Sequence, residues 1–326
     1  LNADRNCDPS KTTVPGLTII IPANNEEAYL ADCLRALMAS EPSKAPVQVL
    51  VVANACTDRT VEVANSFKSA ASKLDWTLQV VDLQQPGKLN ALNVGDDMAT
   101  GELRLYLDAD VLVSPPLVRM LIEELSSTEA PRYASGRPRV SIANSFVTRA
   151  YARFWLLLPF ARSEAPGFGA FAVNRAGRER WGAFPQIISD DTYVRLLFSP
   201  DERKGVAASY EWPMVEGFTR LVKVRRRQDQ GVKEIALKWP ELLSNEGKAK
   251  LRPASLLAMA MREPMGFLVY VAVTLAVRSR RASRSPAACV ANKRRISCAA
   301  SSARIPSAPD SRASISSSPY TPRRSA

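Results

Sequence analysis

The sequence contains no histidine, and this absence excludes several kinds of active site. Without an imidazole, the 326-residue chain cannot use a Ser–His or Cys–His nucleophile, a histidine general base or a histidine metal ligand. Proton transfer in any reaction that it catalyses must fall to Asp, Glu, Lys, Tyr or Cys.

Cysteine is also scarce. The five cysteines are odd in number and show no C-x-x-C spacing. Such usage is typical of reduced thiols in the cytosol. Residues 1–16 are polar and contain proline, so they do not resemble a signal peptide, and we expect a cytoplasmic protein. Because the first residue is Leu1 rather than methionine, the sequence leaves open that residues are missing before it.

The net charge of +12 comes mainly from the last segment. Residues 278–326 hold eleven of the 44 basic residues and one of the 32 acids, so the rest of the chain carries only +2. This distribution argues against a nucleic-acid-binding domain. The segment is rich in Ser, Ala, Arg and Pro, which predicts a disordered tail. We hypothesise that a reading-frame shift produced it; an uninterrupted frame in the nucleotide sequence would contradict this.

Long hydrophobic runs are missing as well. The longest, residues 264–277, is nearly all apolar over 14 residues. As a helix it would reach about 21 Å, whereas a bilayer core is roughly 30 Å thick. Its flanks, Arg262 and Arg278, favour an interfacial segment or a truncated span, and a buried core helix stays open as the alternative.

Residues 17–110 alternate between strand and helix patterns. Short apolar runs predict strands at 17–22, 47–52, 78–81 and 103–107. Between them, helices are predicted after Asn24 or Asn25, after Thr57 and Asp58, and over 88–98. This order predicts an α/β fold with a mostly parallel central sheet flanked by helices.

The pattern loosens after residue 110. We predict helices at 115–125, 146–158, 190–198 and 216–239, an extended segment at 132–142 and a strand at 167–173. The resulting organisation has a flexible N-terminus (1–14), a nucleotide-binding half (15–110), an acceptor-binding and catalytic half (111–242), a helical segment (243–277) and the tail (278–326).

Two carboxylates, Asp108 and Asp110, directly follow the strand at 103–107. Ligands of open α/β sheets bind at the carboxyl ends of the strands. Paired hard oxygen ligands there suit Mg²⁺ or Mn²⁺, and such an ion suits a diphosphate. A turn with two solvated acids is the alternative.

Five motifs in order resemble glycosyltransferase family 2, over about residues 15–235. They are I-I-I-P-A-N-N-E-E (19–27), V-V-A-N-A-C-T-D-R-T (51–60), G-K-L-N-A-L-N (87–93), D-A-D (108–110) and S-D-D (189–191). The resemblance implies an inverting enzyme with the GT-A fold that uses a nucleoside-diphosphate sugar. Beyond that range, the apolar run at 264–277 predicts a C-terminal helical extension.

The resemblance assigns roles to particular residues. Asp110 contacts Mg²⁺ or Mn²⁺, and Asp108 contacts the metal or the ribose. Asp191 is the general base, with Asp190 as its partner, although both acids would also favour a helix N-terminus. The nucleotide-sugar site comprises Pro22, Ala23, Asn24, Glu26, Asn54, Lys88, Asp108 and Ala109. The residues themselves, rather than the resemblance, suggest acceptor or diphosphate contacts at Gly167, Gly169, Arg226 and Arg227. A plain turn is the alternative for the two glycines. The two arginines belong to a basic cluster (Arg220, Lys223, Arg225, Arg226, Arg227), for which a solvated helix face is the alternative.

One departure leaves the nucleotide open. Where the family often has an Asp that reads the base, this chain has Ala53 and Asn54. An Asn amide can donate to and accept from a base edge, so UDP-, GDP- and dTDP-linked sugars all remain candidates.

We therefore expect a metal-assisted glycosyltransferase acting on a saccharide or lipid-linked acceptor in cell-envelope glycan synthesis. It would be cytoplasmic, at the inner face of a membrane, and would not bind nucleic acid. The alternative is an inactive nucleotide-sugar-binding or scaffold protein, suggested by Ala53 and the tail. Dehydrogenases and sugar-nucleotide pyrophosphorylases are disfavoured because no Gly-rich loop follows the first strand.

Overall fold

The computed structural model describes residues 14–247 and 251–282. These residues form one eight-stranded sheet with helices packed on it. The strands are β1 (Leu17–Ala23), β2 (Val47–Asn54), β3 (Thr77–Leu83), β4 (Leu103–Leu107), β5 (Leu112–Val113), β6 (Tyr133–Val140), β7 (Ala170–Val173) and β8 (Arg203–Trp212).

Eleven α-helices connect or follow the described strands. They are α1 (Leu30–Met38), α2 (Thr60–Ser66), α3 (Lys68–Ser72), α4 (Lys88–Met98), α5 (Leu117–Ser126), α6 (Phe146–Trp155), α7 (Arg175–Arg178), α8 (Asp190–Leu196), α9 (Phe218–Lys238), α10 (Pro253–Arg262) and α11 (Pro264–Ala282).

The strand order is β3-β2-β1-β4-β7-β6-β8-β5. Strands β1 to β4 pair in parallel, as the sequence predicted, whereas β7 is antiparallel to both β4 and β6. In the register of β1 and β2, Ala23 pairs with Ala53, so the two strands end together. Their carboxyl ends and that of β4 therefore form one edge, which carries the polar loops.

The apolar core lies on both faces of the sheet. In β1, Ile19 and Ile21 belong to the cluster that packs against α1 and α5, while Ile20 belongs to the cluster on the α4 side. This alternation follows from the two-residue period of a strand. Because both faces are covered, the strand is apolar throughout rather than alternating with polar residues.

A third apolar cluster joins α6, α9 and α11. Tyr151 and Phe154 of α6 pack with Val273 and Val277 of α11. Gly266 allows the close contact, since a Cβ there would lie 2.6 Å from the carbonyl oxygen of Ala150. One face of α11 is thus buried, which matches part of the buried-helix alternative.

The opposite face of α10 and α11 is apolar and exposed. Leu257, Met261, Leu268 and Leu275 are each at least 60% exposed. Among the described residues, no single helix is long and apolar enough to cross a membrane; α10 and α11 would reach that length only as a pair bent by 119°.

The first helix differs from its prediction. It begins at Leu30, not after Asn24 or Asn25. Asn25 has a φ of 56°, and its side-chain oxygen accepts a hydrogen bond from the Thr57 amide at 2.8 Å. Asn side chains that bond to the backbone in this way compete with helix formation. Here the Asn25 side chain joins the loop after β1 to the loop after β2 instead.

Strand β8 was not predicted. It pairs in parallel with β6 and in an antiparallel manner with β5, which makes the second half of the sheet mixed. Cys33 and Cys56 are free thiols, as expected. Residues 1–13 and 283–326, including nearly all of the predicted tail and the other three cysteines, lie outside the described residues.

Candidate active site

The loops after β1 and β2 are joined by Asn54. Its amide nitrogen donates to the Ala23 carbonyl at 2.8 Å, and its amide oxygen accepts from the Gly87 amide at 3.0 Å. Asn24 in turn donates to the Asn54 carbonyl at 2.6 Å. Because the Asn54 side chain is buried and hydrogen-bonded through both amide atoms, it ties β1, β2 and α4 together.

Three of the predicted nucleotide-site residues contribute only backbone or apolar surface. Pro22, Ala23 and Ala109 are all buried. Asn24 directly follows β1 and is exposed, so its side chain is accessible to a ligand.

Asp108 lies at the centre of the edge, positioned by the strand beside it. Its amide donates to the Gly169 carbonyl at 2.8 Å. Gly169 has a φ of 67°, and a Cβ there would lie 3.2 Å from Asp108 Oδ2 and 3.2 Å from Cδ1 of Trp212. The positive φ favours glycine here, and a Cβ would also lie only 2.9 Å from Cγ2 of Val111.

Acidic side chains crowd this edge. Burial, followed by repulsion from Asp108, raises the pKa of Asp110 to about 6. Burial and the charges of Asp110, Asp108 and Asp58 raise the pKa of Glu26 to about 7. Such crowding is favourable for binding a cation, since a positive charge would relieve the repulsion.

Lys88 supplies the positive charge in the protein itself. Its Nζ lies 2.9 Å from Asp108 Oδ1 and 3.1 Å from Asp190 Oδ2. Burial opposes the charge on Lys88, but the attraction of Asp108 and Asp190 outweighs burial and raises its pKa. The lysine, at the first position of α4, therefore joins the edge of the sheet to the start of α8.

Asp190 and Asp191 begin α8. Burial and the neighbouring charge of Asp190 raise the pKa of Asp191 to about 6, against the opposing effect of Lys88. A small cavity brings six of the predicted residues together in one place. They are Pro22, Lys88, Asp108, Gly169, Asp190 and Asp191.

A larger cleft of about 480 Å³ opens on the other side of Asp110. It is lined by Asp110 and Glu26 together with Arg220, an exposed residue near the start of α9. Arg220 belongs to the basic cluster identified in the sequence. The sequence did not indicate which of the five basic residues would share a cleft with Asp110 and Glu26.

The structure does not place Arg226 and Arg227 at the acids. Arg226 donates to the Ala276 carbonyl at 2.5 Å, so it fixes α9 to α11. Arg227 is exposed on α9, and within the described part of the chain neither arginine lines the cavity or the cleft. The predicted diphosphate contact for these two residues is therefore not supported.

Gly167 and Gly231 allow close packing around the acids. Gly167 has a φ of 72°, and a Cβ there would overlap the hydroxyl of Tyr133. A Cβ at Gly231 of α9 would overlap Oγ of Ser189, the residue before Asp190. Glu234, one turn further on α9, accepts a hydrogen bond from the Ile188 amide at 3.1 Å. Helix α9 thus holds the loop that presents the acid pair, a role that the sequence did not reveal.

No group of three Asp, Glu, Cys or His side chains in the described regions is arranged to hold a metal ion without help. Asp108 and Asp110 offer two oxygen ligands. Mg²⁺ and Mn²⁺ sites of this kind are commonly completed by water and substrate phosphates.

Comparisons with known proteins show similarity to glycosyltransferases. The family model described as glycosyl transferase family 2 matches residues 18–176. Glycosyltransferase AglE of Haloferax volcanii is 32% identical over 99 residues, which cover 30% of this chain and 32% of that protein. Poly-beta-1,6-N-acetyl-D-glucosamine synthase of Staphylococcus epidermidis is 26% identical over 248 residues, 70% of this chain and 58% of that protein. The chain thus spans less than two thirds of these relatives.

A solved structure shares the fold. Mannosyltransferase PcManGT from Pyrobaculum calidifontis, in complex with GDP-Man and Mn²⁺, superposes with a TM-score of 0.53 at 20% identity, covering 89% of this chain and 82% of that one. The similarity confirms the predicted GT-A fold.

We predict that Gly231→Ala destabilises the protein. Alanine normally favours a helix interior over glycine, but here its methyl group overlaps Ser189, and such overpacking costs about 1–3 kcal/mol. Denaturant unfolding would measure the loss. The matched control is Gln230→Ala on the exposed side of α9. An unchanged or higher midpoint for Gly231→Ala would show that α9 does not pack on Ser189 in this way.

Proposed function

From the similarity to glycosyl transferase family 2 over residues 18–176, we propose that the chain is an inverting glycosyltransferase that moves a sugar from a nucleoside-diphosphate sugar to an acceptor hydroxyl. The observation that carries the proposal is the meeting of Asp108, Lys88 and Asp190 at one edge of the sheet, with Asp191 next to them. The two ends of the reaction, departure of a diphosphate and activation of a hydroxyl, need these groups side by side.

Asp110 and Asp108 would hold Mg²⁺ or Mn²⁺. Their crowding with Glu26 fits a cation at this position, and the structurally similar mannosyltransferase was solved with Mn²⁺. The ion would neutralise charge that develops on the departing diphosphate. Lys88 supports the same task from the protein side, because its ammonium already lies at Asp108.

Arg220 adds a charge at the mouth of the cleft that holds Asp110 and Glu26. A guanidinium there can bind phosphate oxygens with two parallel hydrogen bonds. We assign it, in place of Arg226 and Arg227, as the arginine that contacts the diphosphate.

Asp191 would act as the general base. A carboxylate accepts the proton of the acceptor hydroxyl as the oxygen bonds to the anomeric carbon and the bond to the diphosphate breaks. One displacement inverts the anomeric centre, so no covalent nucleophile is needed. Asp190 is bound to Lys88, which leaves Asp191 as the carboxylate free of an ion pair among the described side chains.

The acceptor is proposed to be a saccharide or a lipid-linked saccharide of the cell envelope. This rests on the similarity to poly-beta-1,6-N-acetyl-D-glucosamine synthase, which builds a polysaccharide according to its name.

The exposed apolar face of α10 and α11 is proposed to lie on the inner face of the cell membrane. Leu257, Met261 and Leu268 would enter the lipid interface, and the exposed Arg252 and Arg262 would meet anionic headgroups. The protein would then work at the surface where lipid-linked acceptors are found.

Metal-dependent donor binding is the first prediction. Calorimetry with UDP, GDP and dTDP should show one nucleotide that binds with Mn²⁺ and not with EDTA. Asp110→Asn should weaken that binding at least tenfold, because a ligand to the cation is lost. Asp97→Asn, an exposed acid on α4, serves as the control. Absence of binding by the wild type for all three nucleotides would contradict the proposal.

The second prediction concerns the base. Asp191→Asn should lower kcat by about 10²- to 10⁴-fold with donor affinity unchanged. Burial raises the pKa of Asp191 to about 6, and a base must be ionised, so kcat/KM should fall as the pH drops below about 6 and level off above it. The reference is donor turnover by the wild type and by Asp201→Asn, a control variant at an exposed acid, which should match the wild type. A wild type that binds donor but never turns over would favour the inactive binding protein.

Membrane association gives a third prediction. Met261→Glu should reduce co-sedimentation with anionic phospholipid vesicles several-fold, because a charge replaces apolar surface at the interface. Leu237→Glu changes an equally exposed apolar residue on α9 and should have no effect. Equal binding by the two variants would exclude α10 as the docking surface.

A further inference from the structure

Trp212, the last residue of β8, reaches the edge of the sheet where Asp108 lies. Its Cδ1 lies 3.2 Å from the position that a Cβ would take at Gly169, and Asp108 Oδ2 lies 3.2 Å from the same point. The indole and the carboxylate are therefore neighbours at Gly169. The reaction proposed above gives this tryptophan no role.

The ring of Trp212 is held in place by its neighbours. Backbone pairing with Val140 of β6 keeps the residue in the sheet. The ring stacks on Trp155 with centroids 5.7 Å apart, and Phe168 packs against both rings, at 5.8 Å from Trp212 and 5.3 Å from Trp155. A side chain that is already fixed by packing loses little conformational entropy when a ligand binds to it.

The indole N–H of Trp212 has no acceptor within the described part of the chain. Unlike Trp181 Nε1, which is buried without a partner, Trp212 Nε1 is not fully buried. Because Nε1 is bonded to Cδ1, this donor is on the ring edge that lies next to Gly169. Trp212, Gly169 and Asp108 are each half-buried, so none of the three is closed to a ligand.

The polar groups that meet at Gly169 differ in hydrogen-bond chemistry. An indole nitrogen only donates, and a carboxylate only accepts. Asp108 Oδ1 is paired with Lys88 Nζ, whereas Oδ2 is the oxygen next to Gly169. Neighbouring hydroxyls on a sugar ring offer an acceptor and a donor side by side, so they are complementary to this pair. Aromatic surface with a few polar groups placed on it is typical of small-ligand sites.

The position of Gly169 makes this pair relevant to the reaction. Gly169 and Asp108 line the small cavity that also contains Asp190 and Asp191. A sugar ring at Gly169 would therefore lie between the acids of the sheet edge and the proposed base.

We infer that Trp212 binds a pyranose at the reaction centre, with Nε1 donating to a hydroxyl oxygen of the ring beside Asp108. The inference rests on the proposed glycosyltransferase function and adds a residue that selects the sugar. Trp212 is a specificity-determining residue, since no bond is made or broken at it. The transferred sugar and the acceptor sugar share this hydroxyl chemistry, and the two arms of the experiment distinguish them.

Matched probes measure what the sugar ring contributes to binding. For the transferred sugar, calorimetry with Mn²⁺ compares UDP-glucose, GDP-mannose and dTDP-glucose with the bare nucleoside diphosphates. For the acceptor, NMR titration compares methyl β-glucoside with the open-chain polyol sorbitol, in the presence of Mg²⁺ and the nucleotide that binds. The wild type should prefer the probe with the ring about tenfold in one of the two arms, which identifies the source of the sugar.

Two tryptophan variants test the residue. Trp212→Phe keeps an aromatic ring and removes the N–H, so it should lower the preference at least threefold, as expected for one lost hydrogen bond. Its affinity for the bare nucleotide should match that of the wild type. Trp239→Phe, at a half-buried tryptophan directly after α9, is the control and should retain the preference.

A spectroscopic measurement covers the case in which Trp212→Phe fails to fold. The chain has five tryptophans, so the indole N–H signal of Trp212 is also identified by elimination, from Phe variants of the other four. In the wild type this signal should shift when the preferred probe binds, whereas the Trp239 signal should not.

Two kinds of failure are distinguishable. A wild type that binds none of the nucleotides would refute the proposed function. A wild type that binds a nucleotide but shows no preference in either arm, a preference that Trp212→Phe retains, or a Trp212 signal that does not move would overturn the inference.

Discussion

The ion pairs of Lys88 are the interaction on which the site depends. The carboxyl ends of β1 and β4 and the start of α8 all bring acids to one place, and like charges at such short distances repel. Lys88 forms ion pairs with both Asp108 and Asp190 and so joins the two halves of the chain at the candidate site. Burial, together with repulsion from neighbouring acids, keeps the pKa values of Asp110 and Glu26 raised. A cation at this edge would relieve that repulsion.

The second half of the chain serves mainly to hold the acid pair opposite that edge. Strand β7 runs antiparallel to β4, which places Gly169 directly against Asp108. Helix α9 then fixes the loop before α8, through Gly231 against Ser189 and Glu234 at the Ile188 amide. The contact with Ser189 needs the space that a glycine at position 231 leaves, so the geometry of the site depends on a residue that carries no chemistry.

The sequence predicted the first half of the fold and the acids, because strongly apolar strands and a carboxylate pair at a strand end are local signals. It did not predict β8, where Val206, Ala208 and Tyr210 are buried on one side but charged and small residues hide the alternation. The positions of Asn54 and Arg220 depend on tertiary contacts. The Asn54 amide bonds the Ala23 carbonyl and the Gly87 amide, and only the folded chain brings Arg220 into the cleft that Asp110 lines. Side-chain partners of this kind have no signature in spacing.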